Sequence, residues 1–471
     1  MRYISTRGEA PALDFVDAML AGLARDGGLY VPEAWPALDG AAIAAFAGRP
    51  YAEVALDVMR PFVAGALDDG ELARMVQEAY GMFRHPATVP LTQIAPNTFM
   101  LELFHGPTLA FKDVAMQLLS RLMDHVLRQR GERATIVVAT SGDTGGAAVE
   151  AFRGRDQVDL VVLYPHGRIS DVQRRMMTTA ADANVHAVAV EGTFDDCQAL
   201  VKALFNHHAF RDKVRLSAVN SINWARVVAQ VVYYFTAAVA LGAPHRKVAF
   251  TVPTGNFGDV FAGYVAQRMG LPVDRLLIAT NVNDILARTL ATGAYEIREV
   301  VSTTSPSMDI QVSSNFERLL FDAYGRDPHP IRALMGSLVQ SKRFAVASHA
   351  LAVIRDGFSA AHAEEDEVTA TMRATWREAG YCIDPHTAVA LAVAEKETRD
   401  PSVPMVVLST AHPAKFPDAV EAACGVKPKL PEWLGDLATR RERIAVLPAD
   451  QAKVEAFVLG VSRAAREGAA A

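Results

Sequence analysis

Seven short, mainly apolar runs, each followed by a helical pattern, organise the sequence from Thr135 onwards. The runs read TIVVAT, VDLVVLYP, VHAVAVEG, RLSAV, KVAFTVPT, LLIATN and PMVVLST. Strands that are apolar at successive positions are buried on both faces, as in parallel sheets covered by helices. Helices that connect such strands in turn make the strands parallel. The sequence therefore predicts an α/β fold that is doubly wound and mostly parallel.

The segments outside this alternation differ in pattern. Residues 1–92 are rich in alanine, aspartate and leucine and predict a separate, mostly helical N-terminal domain, which leaves 93–471 for the α/β region. The polar, irregular section from Glu299 to Pro330 predicts a functional loop or insertion. The run VVAQVVYYFTAAVALGAP resembles a membrane span, but its polar residues and its place in the alternation predict a buried helix. The tail ending EGAAA is expected to fray.

Composition and charge narrow the classes of partner. A hydrophobic content of 51% and a charged content of 21% are typical of a soluble globular protein. The net charge of -6 argues against a nucleic acid or an anionic membrane as partner. Cys197, Cys382 and Cys424 are too far apart in sequence to indicate a disulfide framework or a zinc-binding pair, and they predict reduced core residues. The N-terminus has no secretion signal, so a cytoplasmic location is expected.

The stretch HGPTLAFKD places Lys112 among apolar residues, after a glycine-proline turn and before Asp113. One explanation is that Lys112 lies at a helix edge and extends its ammonium group to solvent. The alternative is a buried lysine. Burial disfavours the charged form, and the free amine can then form a Schiff base with a carbonyl compound. The strand ends elsewhere in the chain help to choose between these explanations.

Two glycine-containing loops lie between a predicted strand and a predicted helix. VPTGNFGD places residues 255–258 before a helix that begins near Asp259, and TSGDTGG repeats the arrangement over residues 140–146. Ligands of open parallel sheets bind beyond the carboxyl ends of the strands. Glycines there let backbone N–H groups converge on an anion, assisted by the helix dipole. One such loop is a weak signal, but two indicate two anions, such as a cofactor phosphate and a substrate carboxylate or phosphate.

A third strand end, LSTAHPAKF, carries the hydroxyls of Ser409 and Thr410, which alternatively form a helix N-cap before Ala411. No glycine-rich loop is followed by GK[ST], and no GxGxxG opens the first strand–helix unit, so neither nucleotide-binding pattern is supported. A lysine in an apolar segment, a phosphate-binding loop and a hydroxyl at a strand end together suit pyridoxal phosphate. That cofactor needs partners for its aldehyde, its phosphate and its ring nitrogen.

Motifs spread along almost the whole chain carry a family resemblance. They are YISTRG, GLARDGGLYVPE, FHGPTLAFKD, SGDTGGAA, NSINWAR, PTGNFGD, SMDI with SSNFER, and STAHPAKF. Together they resemble the threonine synthase family, in its long bacterial and fungal branch, within the tryptophan-synthase-β-like (fold type II) pyridoxal-phosphate enzymes. The resemblance implies sheets in two lobes that divide near residue 225. It also implies conversion of O-phospho-L-homoserine and water to L-threonine and phosphate, by a monomer or a homodimer.

The resemblance further implies roles for individual residues. Lys112 is the Schiff-base lysine, and its freed amine moves protons on the substrate. The remaining roles are the cofactor phosphate loop (Gly255, Asn256, Phe257, Gly258 and Asp259), the ring-nitrogen partner (Thr410 in preference to Ser409), the substrate carboxylate loop (Ser141, Gly142, Asp143 and Thr144) and the substrate phosphate site (Ser221, Asn223 and Arg226).

Some of these assignments have unexpected features or alternatives. Many relatives carry asparagine where this chain has Asp143, and a carboxylate beside the substrate carboxylate is surprising. The carboxylate of Asp259 is expected to face helix N–H groups rather than the phosphate. Asn223 and Arg226 have a second explanation, as a helix N-cap and a solvated arginine.

Proton transfer and the reaction type also leave alternatives. His105 and Asp113 flank the lysine motif, and the sequence does not decide whether either takes part in proton transfer. A threonine or serine dehydratase, or a phospho-amino-acid lyase, would share the fold and most of the site. A phosphate-ligand binding protein without catalysis is the more remote alternative.

Overall fold

The computed structural model of the protein describes residues 1–467, within which the chain forms strands β1–β15 and helices α1–α20. The strands are β1 (Tyr3–Ser5), β2 (Tyr30–Pro32), β3 (Leu91–Ala95), β4 (Thr98–Glu102), β5 (Ala134–Ala139), β6 (Val158–Pro165), β7 (Val185–Glu191), β8 (Leu216–Ser217), β9 (Val248–Pro253), β10 (Val273–Thr280), β11 (Ala294–Glu296), β12 (Arg343–Ala345), β13 (Phe358–His362), β14 (Met405–Ser409) and β15 (Ala445–Pro448). The predicted fraying of the tail beyond Glu467 lies outside the described residues.

The helices alternate with these strands along most of the chain. They are α1 (Phe15–Ala21), α2 (Gly40–Ala44), α3 (Tyr51–Val63), α4 (Asp69–Tyr80), α5 (Lys112–Arg130), α6 (Asp143–Phe152), α7 (Asp171–Thr178), α8 (Phe194–Asn206), α9 (His208–Lys213), α10 (Trp224–Ala240), α11 (Gly258–Arg268), α12 (Ile285–Thr292), α13 (Phe316–Ala323), α14 (Pro328–Ser341), α15 (Ser348–Gly357), α16 (Glu365–Ala379), α17 (Pro385–Lys396), α18 (Pro417–Cys424), α19 (Gln451–Val461) and α20 (Arg463–Glu467).

Two large sheets organise the fold. One has the strand order β13-β10-β9-β14-β4-β3, in which β3 runs antiparallel to β4 and the other neighbours are parallel. The other has the order β15-β7-β6-β5-β8, and its neighbours are all parallel. The predicted α/β fold, with mostly parallel sheets in two lobes, is confirmed.

Alternate residues of the central strands enter different apolar cores. Val406 and Leu408 of β14 belong to a central core that also contains Val138 of β5 and buried residues of α5 and α10. Val407 of β14 packs with α16 and α17 on the outer face of the six-stranded sheet. Val137 of β5 packs with α8 on the outer face of the five-stranded sheet. Because both faces are covered, these strands are apolar at successive positions.

The seven apolar runs of the sequence all form strands, namely β5 to β10 and β14, although β8 has only two residues. The sequence did not predict β3, β4, β13 and β15. Three of these four, β3, β13 and β15, lie at sheet edges. Edge strands are often short and carry polar residues, so their sequences, LTQIA, FSAAH and AVLP, lack the continuous apolar character of a central strand.

Two predicted helices have the expected environment. α5 ends at Gly131, whose φ of 64° is the left-handed conformation that glycine adopts readily at a helix end. α10, which contains the membrane-like run, is buried because α3, α5 and α11 pack around it. In residues 1–467, no helix is both long enough and apolar enough to cross a membrane.

The N-terminal segment combines the ribbon of β1 and β2 with helices α1–α4. α3 packs against α10, and α4 packs against α5, so the segment covers the helices that carry the lysine motif and NSINWAR. The division at residue 92 falls within β3, whose Leu91 and Thr92 pair with β4. We retain the division into 1–92 and 93–471 as a proposal.

The polar section after Glu299 is irregular only as far as Asn315, because α13 and the start of α14 occupy the rest of it. Asp309 holds the irregular part together: its carboxylate accepts hydrogen bonds from the Thr303 hydroxyl at 2.6 Å and from Asn281 Nδ2 at 2.8 Å. Ser313 Oγ donates to the Gly255 carbonyl at 2.6 Å. This loop therefore packs directly on the glycine loop that follows β9.

Candidate active site

Lys112 is the first residue of α5 and is only 8% exposed. Its Nζ lies 4.7 Å from the centroid of the Phe111 ring. Burial lowers the pKa of Lys112; Asp143 opposes that shift, whereas the charges of Lys415 and Arg226 add to it. The explanation in which this lysine extends to solvent is therefore wrong. A buried amine with a lowered pKa loses its proton readily, as a nucleophile or a base must.

The loop after β9 presents backbone groups. Phe257 has a φ of 65° and a buried ring, so only its backbone faces the loop. Gly258 begins α11, and its N–H has no partner inside the helix. A Cβ on Gly255 would lie 2.8 Å from the carbonyl oxygen of Ser307, whereas a Cβ on Gly258 would lie 3.4 Å from Asn315 Nδ2. N–H groups that converge at a helix N-terminus form an anion-binding cradle.

Asn315 connects this cradle to the NSINWAR segment. Its Nδ2 donates to the carbonyl oxygen of Asn256 at 2.9 Å and to that of Ser221 at 3.3 Å. The Cβ of Ser221 lies 3.8 Å from the position a Cβ would take on Gly258. Ser221 therefore lies beside the cradle, and Asn256 contributes backbone, not its exposed side chain, to this contact.

Asp259 follows the cradle but turns its carboxylate away from it. Oδ1 accepts hydrogen bonds from the hydroxyls of Tyr233 at 2.5 Å and Tyr234 at 2.9 Å, while the buried Oδ2 has no partner in residues 1–467. Burial raises the pKa of Asp259 to about 6, although both tyrosine hydroxyls oppose that shift. The expectation that this carboxylate faces helix N–H groups is wrong, because the two tyrosines of α10 take that place.

The loop after β5 also ends at a helix N-terminus. Gly142 has a φ of 139°, and a Cβ on it would lie 2.4 Å from Cδ of Gln173. α6 begins at Asp143, so the N–H groups of Asp143 and Thr144 have no carbonyl partner within the helix. Half-buried Ser141 lies next to them. This loop can bind a carboxylate through backbone N–H groups.

The side chain of Asp143 has a different environment. Lys415 Nζ donates to Oδ1 at 2.8 Å, Gln173 Nε2 donates to Oδ1 at 3.0 Å, and Lys112 Nζ lies 3.6 Å from Oδ2. Burial alone would raise the pKa of Asp143, but Lys415 and Lys112 hold it well below its usual range. Asp143 is therefore an ionised partner of two lysines. Its side chain does not bind a substrate carboxylate, which would repel it.

The residues of NSINWAR separate into two roles. Asn223 is the N-cap of α10: its Oδ1 accepts from the Ala225 N–H at 3.1 Å, and its Nδ2 donates to the carbonyl oxygens of Met19 and Ala218. Because these contacts use its polar atoms, the N-cap explanation replaces the predicted substrate contact. Arg226 is 4% exposed, so its alternative as a solvated arginine is wrong.

Arg226 is a buried cation that has no acidic partner in the part of the chain that the structure describes. Its Nη1 donates to the Val219 carbonyl at 3.2 Å, but its Nε is buried and unpartnered within residues 1–467. Burial lowers its pKa to about 10, so the guanidinium stays charged at neutral pH. Its charge also affects the pKa of Lys112, which places it near that amine. A desolvated guanidinium with a free N–H group suits an anionic ligand.

The two hydroxyls at the end of β14 differ. Ser409 Oγ lies 3.2 Å from Thr387 Oγ1 and is engaged there. The Thr410 carbonyl accepts from the Phe111 N–H at 2.8 Å, which places Thr410 beside the start of α5, and its hydroxyl has no hydrogen-bond partner among residues 1–467. The next α-helix is α18, so the predicted alternative of an N-cap before Ala411 is wrong. Thr410 is the hydroxyl available to a ligand.

His105 and Asp113 make contacts that support the loop. His105 Nε2 lies 2.6 Å from Glu102 Oε2. Asp113 accepts from the N–H of Thr108 at 2.8 Å and from its hydroxyl at 2.7 Å, and burial raises the pKa of Asp113 to about 6. Asp113 therefore holds the turn before Lys112 in place.

The sequence analysis missed several residues of this site. Lys415 is fully buried, and its signal was visible: like Lys112, it is a lysine flanked by apolar residues beside a strand end. His386 contacts Asp384 Oδ2 through Nδ1 at 2.7 Å and accepts from the Ser307 N–H at 3.3 Å. Gln173 had no local signal, since it reaches Asp143 from α7.

The site fits pyridoxal phosphate. The buried amine of Lys112 can bind the aldehyde carbon of the cofactor, and the cradle after β9 has N–H groups for its phosphate. The Thr410 hydroxyl is available to its ring nitrogen. The unpartnered Nε of Arg226 leaves a second cationic position for another anion.

Family models match three stretches of the chain. The pyridoxal-phosphate dependent enzyme family matches residues 88–410, the threonine synthase N terminus matches 2–80, and the threonine synthase C-terminal region matches 387–458. The first match spans more than half of the chain. The protein is therefore a pyridoxal-phosphate-dependent enzyme.

Individual relatives narrow the class. Threonine synthase of Pseudomonas aeruginosa is 54% identical over 459 residues, which cover 97% of this chain and 98% of that protein. The crystal structure of pyridoxal-phosphate-bound threonine synthase from Brucella melitensis is 60% identical with a TM-score of 0.96, and covers 98% of this chain and 100% of that one. Yeast threonine synthase is 37% identical with a TM-score of 0.92, and 98% of each chain is covered. The chain belongs to the threonine synthase family.

Proposed function

We propose that the protein converts O-phospho-L-homoserine and water to L-threonine and phosphate, with pyridoxal phosphate bound at Lys112. The observation that carries the proposal is Arg226, a buried guanidinium without a carboxylate partner in residues 1–467, close enough to affect the pKa of Lys112. The cradle after β9 is available to the cofactor phosphate, and the N–H groups of α6 to a carboxylate. Arg226 is therefore available to a third anion, and we infer that this anion is the phosphate of the substrate.

Three groups would hold the cofactor. Lys112 would bind its aldehyde carbon, residues 255–258 its phosphate, and the Thr410 hydroxyl its ring nitrogen. When bound, pyridoxal phosphate withdraws electrons from the α carbon of the substrate. A neutral hydroxyl such as that of Thr410 leaves the ring nitrogen unprotonated, which moderates this withdrawal and suits chemistry at the β and γ carbons.

The substrate would be held at both ends. The N–H groups of Asp143 and Thr144 bind its carboxylate, and Arg226, with Ser221 beside it, binds its phosphate. Holding both ends orients the bond between the γ carbon and the phosphate oxygen for cleavage, so binding energy contributes to turnover. Nζ of Lys112 is the buried base placed to accept the proton of the α carbon and to move protons at the β carbon.

The direct test is incubation of the purified protein with O-phospho-L-homoserine, followed by measurement of threonine and phosphate. We expect equal amounts of both products, and very little turnover of homoserine, which lacks the phosphate. Arg226→Ala should lower kcat/KM by roughly 10- to 100-fold, because a hydrogen bond to a charged group contributes about 1.5–3 kcal/mol. The absorption spectrum of the bound cofactor should stay unchanged.

Arg246→Ala is the matched control. Arg246 precedes β9 at the opposite end of the strand from the cradle, and its side chain hydrogen-bonds the exposed Ser402 carbonyl. We expect this variant to keep wild-type kcat/KM. Equal losses in both variants would contradict a specific role for Arg226.

The alternatives predict different products. A dehydratase of this fold would consume threonine or serine and release a 2-oxo acid and ammonia, and Arg226→Ala would matter little. A phospho-amino-acid lyase would release phosphate from phosphohomoserine without forming threonine. A binding protein without catalysis would retain phosphohomoserine unchanged. If phosphohomoserine gave 2-oxobutyrate instead of threonine, the proposed reaction would be wrong and the dehydratase reaction would be supported.

Location and assembly belong to the same proposal. We infer a cytoplasmic enzyme because Cys197, Cys382 and Cys424 are free thiols within residues 1–467, as is usual in a reducing compartment. A monomer or a homodimer is expected, and sedimentation of the purified full chain distinguishes the two.

A further inference from the structure

Five buried residues form a closed ring of polar contacts that begins and ends at α5. Lys415 Nζ donates to Asp143 Oδ1 and to the Thr108 carbonyl, both at 2.8 Å. Asp143 Oδ2 lies 3.6 Å from Lys112 Nζ. Thr108 donates its N–H and its hydroxyl to Asp113, the residue after Lys112. All five residues are buried, so water does not compete for these contacts.

The ring joins parts of the chain that are distant in sequence. Lys112 and Asp113 begin α5, and Asp143 begins α6 after β5 of the five-stranded sheet. Lys415 follows β14 of the six-stranded sheet. The pair of Lys415 and Asp143 therefore links the two lobes at the position of the amine.

Burial makes this pair strongly interdependent. Lys415 has 0% exposure, and Gln173 occupies Asp143 Oδ1 together with it. Removing one partner of a buried ion pair leaves the other charge uncompensated, which is strongly unfavourable. Without Lys415, Lys112 would be the remaining ammonium group beside Asp143, and the Asp143 carboxylate would hold a proton on Lys112 Nζ.

We propose that Lys415 is a positioning residue for Lys112: by neutralising and orienting Asp143, it lets Nζ of Lys112 release its proton and bind pyridoxal phosphate. Lys415 does not touch the reacting atoms in this role. The inference rests on the proposed role of Lys112, but it does not depend on which substrate the enzyme uses.

Several charged groups face Lys112. Asp143 from α6 raises the pKa of Lys112, whereas Lys415 and Arg226 lower it. The charge of Lys112 in turn lowers the pKa of Asp259 on α11. His386 from α17 also acts on Asp143. Removing Lys415 takes away a direct positive charge and strengthens the hold of Asp143 on Lys112. Both effects raise the pKa of Lys112.

The test measures covalent capture of pyridoxal phosphate by the cofactor-free full chain between about pH 6 and pH 10, a range that brackets a lowered lysine pKa. Borohydride fixes the captured cofactor, and mass spectrometry of peptides locates it on Lys112. The rate of capture rises with the fraction of free amine, so its pH midpoint reports the pKa of Lys112. Lys415→Met should move that midpoint upwards by roughly one unit or more, as expected for a neighbouring charge.

Asp143→Asn should move the midpoint in the opposite direction, because it removes the group that holds the proton on Lys112. The double variant Lys415→Met with Asp143→Asn removes both charges of this ion pair, so it should fold even if Lys415→Met does not. We expect its midpoint to lie below that of Lys415→Met and near that of the wild type. The shift caused by Lys415→Met should be smaller in the Asp143→Asn background than in the wild type, and this non-additivity is the signature of coupling between the two residues.

Lys396→Met is the matched control, since Lys396 pairs with Glu367 and the His362 carbonyl at the protein surface. Its midpoint should equal that of the wild type. A midpoint of Lys415→Met that stays in place or falls would overturn the inference, as would an equal shift from Lys415→Met with and without the Asp143→Asn substitution. If the wild type captures no cofactor on Lys112, the proposed function fails instead, so the two failures are distinguishable.

Discussion

Two aspartates at the N-termini of two helices have pKa values that are shifted in opposite directions. Asp143 begins α6 and Asp259 is the second residue of α11, and each follows a glycine loop at the end of a parallel strand. Lys415 contacts Asp143 at 2.8 Å, and the pKa of Asp143 lies well below its usual range. The side chain of Asp259 accepts hydrogen bonds from the hydroxyls of Tyr233 and Tyr234, and burial raises its pKa to about 6.

The difference shows that position at a helix N-terminus does not by itself determine charge. The helix dipole favours an anion at both places by a similar, modest amount. Burial opposes ionisation at both places by more than that, and a hydroxyl compensates for it less than an ammonium group does. The loop after β5 therefore holds a fixed negative charge among cations, whereas the loop after β9 keeps its N–H groups free for an external anion.

The largest expected effect on turnover comes from removing the Lys112 amine, which affects the pKa of both Asp143 and Asp259. Lys112→Ala should lower turnover of phosphohomoserine by roughly 10²- to 10⁴-fold or more, the range for loss of a general base. Borohydride should no longer fix pyridoxal phosphate to the protein. Kinetics and peptide mass spectrometry measure the two effects, and Lys396→Ala should retain both properties. If Lys112→Ala retained activity and borohydride fixed the cofactor on another lysine, Lys112 would not be the catalytic lysine.

A smaller effect, on cofactor affinity, should distinguish the loop after β9 from the loop after β5. Gly258→Ala places a methyl group 3.4 Å from Asn315 Nδ2, so the protein can accommodate it, but the methyl group disturbs the cradle. We expect roughly 10- to 100-fold weaker affinity for pyridoxal phosphate, from loss of about 1.5–3 kcal/mol of hydrogen bonding to a charged group. Titration of the cofactor-free chain measures this affinity.

Gly146→Ala is the matched substitution in the first turns of α6. Its methyl group would also lie 3.4 Å from its nearest neighbour, Cβ of Met176. Cofactor affinity should be unchanged in this variant. A weaker affinity in Gly146→Ala than in Gly258→Ala would place the cofactor phosphate at the loop after β5.

The smallest effect concerns the pH dependence of stability. Because the folded pKa of Asp259 is about 6 and its ordinary value is 3.8, its ionisation destabilises the folded state above about pH 6. As pH falls from 6 to 4, the folded state binds a proton that the unfolded state does not. Asp259→Asn removes a destabilisation of at most about 3 kcal/mol, so its melting temperature relative to the wild type should be higher at about pH 8 than at about pH 5.

Asp143→Asn should show the converse dependence. The lowered pKa of Asp143 stabilises the folded state at every pH above the ordinary carboxylate value, and this contribution is lost as pH falls below about 4. Thermal unfolding of both variants across this range tests the comparison. Parallel pH curves for the two variants would contradict pKa shifts of opposite direction at the two carboxylates.

Much of the fold could be predicted because its signals are local. A strand buried on both faces must be apolar at successive residues, and each of the seven apolar runs forms a strand. β13 and β15 were not predicted, because an edge strand is paired on one side only and its sequence is less continuously apolar. Similarly, Asn315 and Gln173 reach the site from separate elements, so no spacing in the sequence connects them to it.

The sequence by itself determined the elements and the lysine motif, since apolar runs, glycine turns and family motifs are properties of contiguous residues. It also determined that Lys112, Arg226 and the two aspartates are present. Only the tertiary structure decided their states. Lys415 and Thr108 are 307 positions apart along the chain, yet Lys415 Nζ donates to the Thr108 carbonyl at 2.8 Å.

The physical reason is that charge depends on neighbours in space. Burial opposes ionisation of every acid and base in the pocket, and only a partner of opposite charge or a hydrogen-bond donor offsets it. Those partners come from α5, α6, α10, α11 and the segment after β14, which the two sheets bring to one place. The sequence supplies the charged residues, and the packing of the two lobes decides which of them are ionised and which amine is free to react.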